Sequence, residues 1–510
     1  MTDTIGRPVT PGTDDRRPEP APRSARNVNM ARLLDDVDVL HVSGDPDREV
    51  TSVEHDSRRV EPGALFCCLI GEHTDGHDHA AEAVLRGAVG VVCEHPVVLP
   101  EDADVAVVRV PPGRSRPSMA LLAAAFFGHP SRHLVTAGVT GTNGKTTVAH
   151  LLGEVLTVAG VPTLVIGTLT GTRTTPEAPE LQGLLAAERD RAALDHGTHG
   201  VSMEVSSHAL AQHRVEGIVF DVAMFTNLSH EHLDFHKTMD AYFEAKAQLF
   251  TPEHAATGVV FADDSAGERL LGQGRIPMRA VRRADAVAVD LDFGRSRFLW
   301  RGRPVELAMT GRLNVDNALV AAEAATALGV EADDVAMGLT QAPPVPGRME
   351  LVTLEGEIWH PTILVDYAHT PASLEGALRE VAALKKPGSR IVAVFGCGGN
   401  RDKAKRPLMG RIAVSSADLV VVTSDNPRDE DPLRIIEEIQ SGIDTATGRH
   451  AEVVIEADRS RAIALAIERA EPSDVVLVAG RGHEQVQERR GELVELDDRA
   501  VARAVLECSP

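Results

Sequence analysis

At 510 residues the chain is long enough for about three domains of ordinary size. Its formal net charge of −23 argues against a nucleic-acid partner, and no apolar run reaches the ~20 residues that a membrane span needs. The five cysteines (67, 68, 93, 397 and 508) have neither metal-like nor disulfide-like spacing, which suits a reducing, cytoplasmic setting.

Residues 1–28 are rich in Pro, Arg, Asp and Thr and read as a disordered tail without a signal-peptide pattern. From about Val37, short apolar strands alternate with helical stretches. Residues 53–66 read as strand, turn, strand. A helix is expected at 80–85, with strands at 88–93 and 105–110, and this small α/β unit ends near Arg132.

A second unit opens with an apolar strand at 134–139 and the run Gly138-Val-Thr-Gly-Thr-Asn-Gly-Lys-Thr-Thr147, followed by a helix at 148–158. In such a strand–turn–helix, backbone N–H groups converge on an anion at the helix N-terminus. Lys145 would reach the outer phosphates of a nucleotide, and the Thr146 hydroxyl would hold Mg²⁺. The spacing departs from the strict Walker A form, which has Gly where this chain has Val139. The alternative is a plain glycine-rich turn, but a plain turn needs neither the lysine nor the paired hydroxyls. Further strands are expected at 163–166, 200–205 and 219–226, then a further α/β stretch through 259–261, a β-rich region at 283–310 and a helix at 314–328. The break Pro343-Pro-Val-Pro-Gly347 sets the next boundary just after it. The third unit has strands at 363–366, 390–395, 419–423, 453–456 and 475–478, with helices at 373–384, 433–443 and 459–469. This alternation implies parallel sheets whose ligands sit at the carboxyl ends of the strands.

Five strings carry chemistry. In Met203-Glu-Val-Ser-Ser-His208, Glu204 ends a strand of the phosphate-loop unit and suits Mg²⁺, although a solvated or capping glutamate is the commoner case. Asn227-Leu-Ser-His-Glu-His-Leu-Asp-Phe-His236 holds three histidines, but without a zinc-protease spacing; one histidine helping to hold Mg²⁺ or water is favoured over a zinc site. Ala241-Tyr-Phe-Glu-Ala-Lys-Ala-Gln-Leu-Phe250 reads as an amphipathic helix. Its Lys246 either snorkels along the core or is buried with a depressed pKa, able to add CO₂ and become a carbamate metal ligand; spacing alone favours snorkelling. Gly396-Cys-Gly-Gly-Asn-Arg-Asp-Lys-Ala-Lys-Arg406 and Ser424-Asp-Asn-Pro-Arg-Asp-Glu-Asp-Pro432 each place an Arg at the sheet's ligand edge, suited to a carboxylate; the second also reads as a helix-capping turn. In Val478-Ala-Gly-Arg-Gly-His-Glu484, a Glu484 facing a ligand's ammonium and a solvated Glu484 are equally supported.

In chain order, His55-Asp-Ser-Arg58 with Asp75-Gly-His77, Gly141-Thr-Asn-Gly-Lys-Thr-Thr147, Thr174-Thr-Pro176, the Glu204 string, Glu244-Ala-Lys246, Gly347-Arg-Met-Glu350, Val365-Asp-Tyr-Ala-His-Thr-Pro371, Asp425-Asn-Pro-Arg428 and Gly482-His-Glu484 together resemble the Mur ligase family. The resemblance runs from about residue 35 to the end. It implies an α/β fold of three domains. These are a small N-terminal α/β domain for a UDP moiety (29–133), a central P-loop-type ATPase domain on a mostly parallel sheet (134–350), and a Rossmann-like C-terminal domain for an incoming amino acid (351–510). It implies an ATP-dependent, amide-bond-forming ligase acting in peptidoglycan precursor synthesis. The γ-phosphate of ATP moves to a D-glutamyl carboxylate, and an amine attacks the resulting acyl phosphate.

The resemblance also implies residue roles. Gly141, Thr142, Asn143, Gly144, Lys145, Thr146 and Thr147 bind ATP, with Asn317, Arg348 and Asp366 on the nucleotide side. Thr146, Glu204, His232 and a carbamylated Lys246 hold Mg²⁺, and Lys145, Glu204, His232 and Lys246 form the catalytic set; here the resemblance reverses the reading of Lys246 from spacing. Ser57, Thr174, Thr175, Ser206, Gln212 and Arg214 match contacts to UDP-N-acetylmuramoyl-L-alanyl-D-glutamate. Arg401, Asp425, Asn426, Arg428, Gly480 and Glu484 match a pocket for meso-diaminopimelate, because the Asp-Asn-Pro-Arg string marks diaminopimelate use and Arg428 would pair its far carboxylate. A monomer is expected. The rivals are a sister ligase adding L-lysine or another amino acid, which Asp-Asn-Pro-Arg opposes, and a non-catalytic nucleotide-binding homologue, which the joint presence of Lys145, Glu204, His232 and Lys246 opposes. This chain departs from the family at His230-Glu231 (usually Arg-Asp), Asn400 (usually Asp), Arg481 (usually Lys), and Trp359 with His360 before a strand that is elsewhere more apolar.

Overall fold

The computed structural model describes residues 27–71, 74–171, 173–354, 360–447 and 451–508. Of the tail expected over residues 1–28, residues 1–26 lie outside them, as does Trp359. The chain forms two compact units, one ending at Phe126 and one beginning at Phe127.

The first unit is built on a five-stranded sheet in the order His41–Ser43, Ala106–Arg109, Gly90–Cys93, Ala64–Cys67, Ser52–Glu54. His41–Ser43 pairs antiparallel and the others pair parallel. The strand–turn–strand expected over 53–66 is therefore a parallel pair, with Ser52 opposite Ala64 and the 3-10 turn Ser57–Arg59 making the crossing under an Asp56 cap. Val28, expected as the last residue of the tail, is instead part of a strand, since Val28–Asn29 pairs antiparallel with Glu49–Val50. The helix Ser115–Phe126 was not expected. Nine of its twelve residues are buried, so no polar stripe marks a helical period.

In the second unit, one sheet runs Met278–Val281, Ala255–Phe261, Phe220–Phe225, Val135–Thr140, Gly200–Glu204, Thr163–Ile166, all parallel. After Val135–Thr140 the chain first fills one side of that strand and then the other. The reversal makes the strand's carboxyl end a topological switch point, and the glycine-rich run sits there. The following helix, Lys145–Val158, buries Val148, Leu151, Leu152 and Val155 in one core with Val315 and Leu319 of the helix Arg312–Ala327. The β-rich region is a three-stranded antiparallel sheet, Ala286–Asp292, Arg295–Trp300 and Arg303–Leu307.

The other sheet runs Glu350–Val352, Thr362–Asp366, Val475–Ala479, Ile391–Phe395, Leu419–Val422, Glu452–Ile455; its first strand is antiparallel and the rest are parallel. Its inner strands are Val- and Ile-rich because they are buried on both faces. The helix Lys405–Ser416 was not expected; it carries Pro407 and Gly410, both poor helix formers. Gly410 is in fact a packing device. A Cβ at Gly410 would lie 2.3 Å from the Ile439 carbonyl oxygen, and one at Gly442 would lie 1.9 Å from that of Pro407, so this helix and Pro432–Asp444 pack backbone to backbone. Gly442→Ala is expected to lower stability by about 1–3 kcal/mol through overpacking. A chemical-denaturation midpoint equal to that of the wild type would contradict this close approach.

Candidate active site

The phosphate loop is braced from both sides. Asn143 N donates to Asn227 Oδ1 at 3.0 Å, Thr142 N donates to the Asn227 carbonyl at 2.9 Å, and the Thr226 hydroxyl donates to the Asn143 carbonyl at 2.6 Å. Gly144 has φ +87°, a left-handed conformation that favours glycine, and a Cβ there would lie 2.3 Å from Asn317 Oδ1. Asn317 thus lies against the loop it was expected to serve. Gly144 supplies no side-chain cap, which leaves the N–H groups of the first helical turn to serve an anion. Lys145 Nζ arches over the loop and donates to the carbonyls of Gly141 (3.1 Å) and Thr142 (2.9 Å).

Glu204 is neither solvated nor a helix cap. It is 1% exposed, and its Oε1 accepts from the Thr146 hydroxyl at 2.9 Å and from Thr168 N at 2.8 Å. Arg348 Nη2 donates to the same Thr146 oxygen at 2.9 Å, with its guanidinium 4.4 Å from the centre of the Tyr367 ring. Asp366 accepts from Met349 N and Ala368 N, both within 2.9 Å, and burial raises its pKa. Lys246 does not snorkel. It is 1% exposed, its Nζ donates to the Gly141 carbonyl at 2.7 Å, and it stands 4.6 Å from the centre of the Tyr242 ring. Burial pushes its pKa well below the usual lysine value, Lys145 pushes it further, and Glu231 opposes. The Tyr242 hydroxyl lies 3.2 Å from Thr142 Oγ1.

His232 is left-handed (φ +56°) and holds its ring 4.8 Å from that of His208. Desolvation lowers its pKa to about 4 against the pull of Glu231, with His208, Lys145 and Lys246 adding to the fall. Burial alone would raise the Glu231 carboxyl; its hydrogen bond with His369 and the charges of His369, His232 and Lys145 hold it at about 2. The longer arm of Glu231 thus finds a partner, 3.6 Å away, in the other half of the unit. His230, His232 and His236 are not spaced as a metal-binding group. His236 Nε2 is hydrogen-bonded to Ser207 Oγ at 2.9 Å, and among the described residues the one group spaced for a metal is Asp75, His77 and His95 of the first unit.

Four residues expected on the muramoyl side form one network. Thr175 Oγ1 donates to the Glu204 carbonyl and accepts from Ser206 N; Arg214 donates to the Thr175 carbonyl at 2.9 Å and to Gln212 Oε1 at 2.7 Å. Thr174 Oγ1 lies 3.2 Å from Thr168 Oγ1. Ser57 belongs to the first unit, where it is buried and donates to Glu82 Oε2 at 2.9 Å.

At the carboxyl edge of the second sheet, Asn426 is the hub. Its Nδ2 donates to Glu484 Oε2 at 2.7 Å, and its Oδ1 accepts from Arg481 Nη1 at 2.9 Å and Glu488 N at 3.0 Å. The buried Asp425 Oδ2 has no hydrogen-bond partner among the described residues, and a Cβ on Gly480 would lie 2.6 Å from it. Burial, then repulsion by Asp425, raises the Glu484 pKa. Two such carboxylates suit an ammonium. Arg428 (φ +51°) donates to the Gly399 carbonyl at 2.7 Å, and Gly398 fits between Arg428 Nη1 and the stem of the exposed Arg401, 3.0 and 3.8 Å from a Cβ placed there. The string also caps a helix, since Asp431 accepts from Leu433 N. Two departures have physical reasons. Asn400 Nδ2 donates to Asp429 at 2.7 Å, where an aspartate would be repelled, and the buried Arg481 uses its fork to reach both Asn426 and the Leu496 carbonyl.

Sequence reasoning missed Tyr242, Tyr367, Thr168, Thr226 and His369. For the tyrosines a signal existed: the chain has only two, and both lie here.

A phosphate loop at the switch point of one parallel sheet, with an edge of mixed charge on a second, defines a nucleotide-binding α/β enzyme. The family models described as "Mur ligase family, catalytic domain", "Mur ligase middle domain" and "Mur ligase, glutamate ligase domain" match residues 49–127, 139–325 and 347–482. The chain belongs to the Mur ligase family, and it is a ligase. It is 42% identical over 487 residues to the UDP-N-acetylmuramoyl-L-alanyl-D-glutamate–2,6-diaminopimelate ligase of Geobacillus kaustophilus, covering 92% of this chain and 96% of that one. It is 40% identical to the ligase of the same name from Streptomyces coelicolor, over 96% and 98% of the two chains. A solved structure of a protein of that name aligns with TM-score 0.63 at 29% identity, over 94% of this chain and 99% of that one. A MurF ligase from Thermotoga maritima, solved with ADP, shares the fold at TM-score 0.60 and 19% identity, over 89% and 97% of the chains.

Proposed function

We propose that this ligase joins meso-2,6-diaminopimelate to the D-glutamate of UDP-N-acetylmuramoyl-L-alanyl-D-glutamate, using ATP, in peptidoglycan precursor synthesis. The observation that carries the reading is the sheet edge of both signs: Asp425 and Glu484 suit an ammonium, Arg428 and Arg401 a carboxylate. Diaminopimelate presents that pair at the end away from its reacting amine, whereas L-lysine lacks the carboxylate. We assign the UDP end to residues 29–133, ATP and transfer to 134–350, and the amino acid to 351–510. We take the working form to be a monomer, and ATP with a nucleotide-sugar precursor fits a cytoplasmic location.

Lys145 and the N–H groups of the loop hold the phosphates, and Arg348 and Asn317 orient the nucleotide from the other side. A D-glutamyl carboxylate oxygen bonds to the γ-phosphorus as the bond to ADP breaks. The diaminopimelate amine then bonds to the acyl carbon, the acyl C–O bond breaks, phosphate leaves, and the amine loses a proton. Such chemistry depends on positioning and charge neutralisation. Thr146 and the buried Glu204 offer hard oxygen donors that fit Mg²⁺, His232 would add an imidazole nitrogen, and the ion would neutralise phosphate charge. Lys246, whose burial favours the neutral amine, fits a carbamate: its amine bonds to the carbon of CO₂, releases a proton, and becomes an anion.

Lys145→Ala is expected to lower kcat/KM for ATP by at least about 10²-fold, read by coupled ADP release; a value within threefold of the wild type would remove Lys145 from the phosphate site. For the reaction class, ATP, the muramoyl dipeptide and hydroxylamine without amino acid should yield a hydroxamate from the acyl phosphate. No hydroxamate from an enzyme that still ligates would refute the acyl-phosphate route.

A further inference from the structure

The helix Arg312–Ala327 starts without a cap of its own. Its N-cap is Gly311, φ +85°, which supplies no side chain. The cap comes from the other half of the unit. Glu380, on the helix Pro371–Leu384, accepts from Arg312 N at 2.5 Å through Oε2, and a Cβ on Gly311 would lie 2.3 Å from that oxygen. The two helices also meet at Leu313, whose Cδ1 would lie 3.6 Å from a Cβ on Gly376. Behind the cap, Arg312 Nε and Arg283 Nε donate to the two oxygens of Asp316 at 3.2 and 2.9 Å. The next residue is Asn317, whose Oδ1 lies against Gly144 of the phosphate loop.

We infer that Glu380 is a positioning residue for nucleotide binding: its carboxylate caps the helix Arg312–Ala327 from the amino-acid-binding half and so fixes Asn317 against the phosphate loop. A carboxylate at a helix N-terminus satisfies an orphan N–H and complements the helix dipole. Because the cap and the helix lie on different halves, the loop's grip on nucleotide depends on how the amino-acid half is seated. The inference rests on the ligase reading for ATP as the nucleotide.

The test is calorimetric titration of the full chain with a non-hydrolysable ATP analogue, beside steady-state kinetics. Glu380→Ala is expected to weaken analogue binding about fivefold, the size of an ordinary cap. Glu380→Gln, which keeps an accepting oxygen, should stay within twofold of the wild type, and both variants should leave KM for diaminopimelate within twofold. Glu375→Ala, an exposed position on the same helix paired with Arg379, serves as the control and should change nothing. Analogue binding by Glu380→Ala within twofold of the wild type would overturn the inference alone. So would a rise in KM for diaminopimelate matching the loss in nucleotide affinity, which marks a general structural role. A wild-type chain that bound no analogue would overturn the ligase reading, and this inference with it.

Discussion

Lys246→Ala is expected to abolish ligation, with kcat reduced by at least about 10²–10³-fold, the scale for losing a charged group aimed at a transferring phosphoryl centre. The argument starts from burial. A lysine that is 1% exposed and repelled by the charge of Lys145 is costly to keep charged, which shifts its amine toward the neutral form. A neutral amine adds CO₂; a guanidinium does not, so Lys246→Arg should fail as well. High bicarbonate should rescue neither variant, because the nitrogen that carries the carbamate is gone. Intact-mass measurement of the gently handled wild type should show a species heavier by one CO₂ that is missing from Lys246→Ala. Full activity in Lys246→Ala would remove the carbamate from the account.

Arg428→Ala is expected to damage diaminopimelate use most. A substrate carboxylate left buried without its partner costs about 2–5 kcal/mol, or roughly 30- to several-thousandfold in kcat/KM. KM for ATP and for the muramoyl dipeptide should move by less than threefold, since Arg428 touches the Gly399 carbonyl and Glu488 rather than the phosphate loop. Discrimination against L-lysine should collapse with it. If lysine and diaminopimelate were used equally both before and after the change, Arg428 would not be the selector.

The strands were legible because the parallel sheets bury Val- and Ile-rich runs on both faces, and the phosphate loop because glycine, lysine and hydroxyls serve no packing purpose together. The clustering of motifs at carboxyl edges followed from the alternation of strands and helices. Burial was the part that spacing hid. The helix Met239–Ala247 buries Tyr242, Phe243, Ala245, Lys246 and Ala247, more than one face, so nothing in its period distinguishes Lys246 from a snorkelling lysine. Helices such as Ser115–Phe126 and Lys405–Ser416 escaped for related reasons, one lacking a polar stripe and the other carrying Pro407 and Gly410 where backbones meet. Contacts between distant segments, such as Glu231 with His369 and Glu380 with Arg312, have no local signature at all.

The most direct test of the account is ATP-dependent ligation of UDP-N-acetylmuramoyl-L-alanyl-D-glutamate with a panel of amino acids by the full chain. We expect meso-diaminopimelate to give the tripeptide with one ADP and one phosphate released per bond, and L-lysine to be used at least about 30-fold less efficiently. Preference for L-lysine, or ATP hydrolysis without a peptide product for any member of the panel, would contradict it.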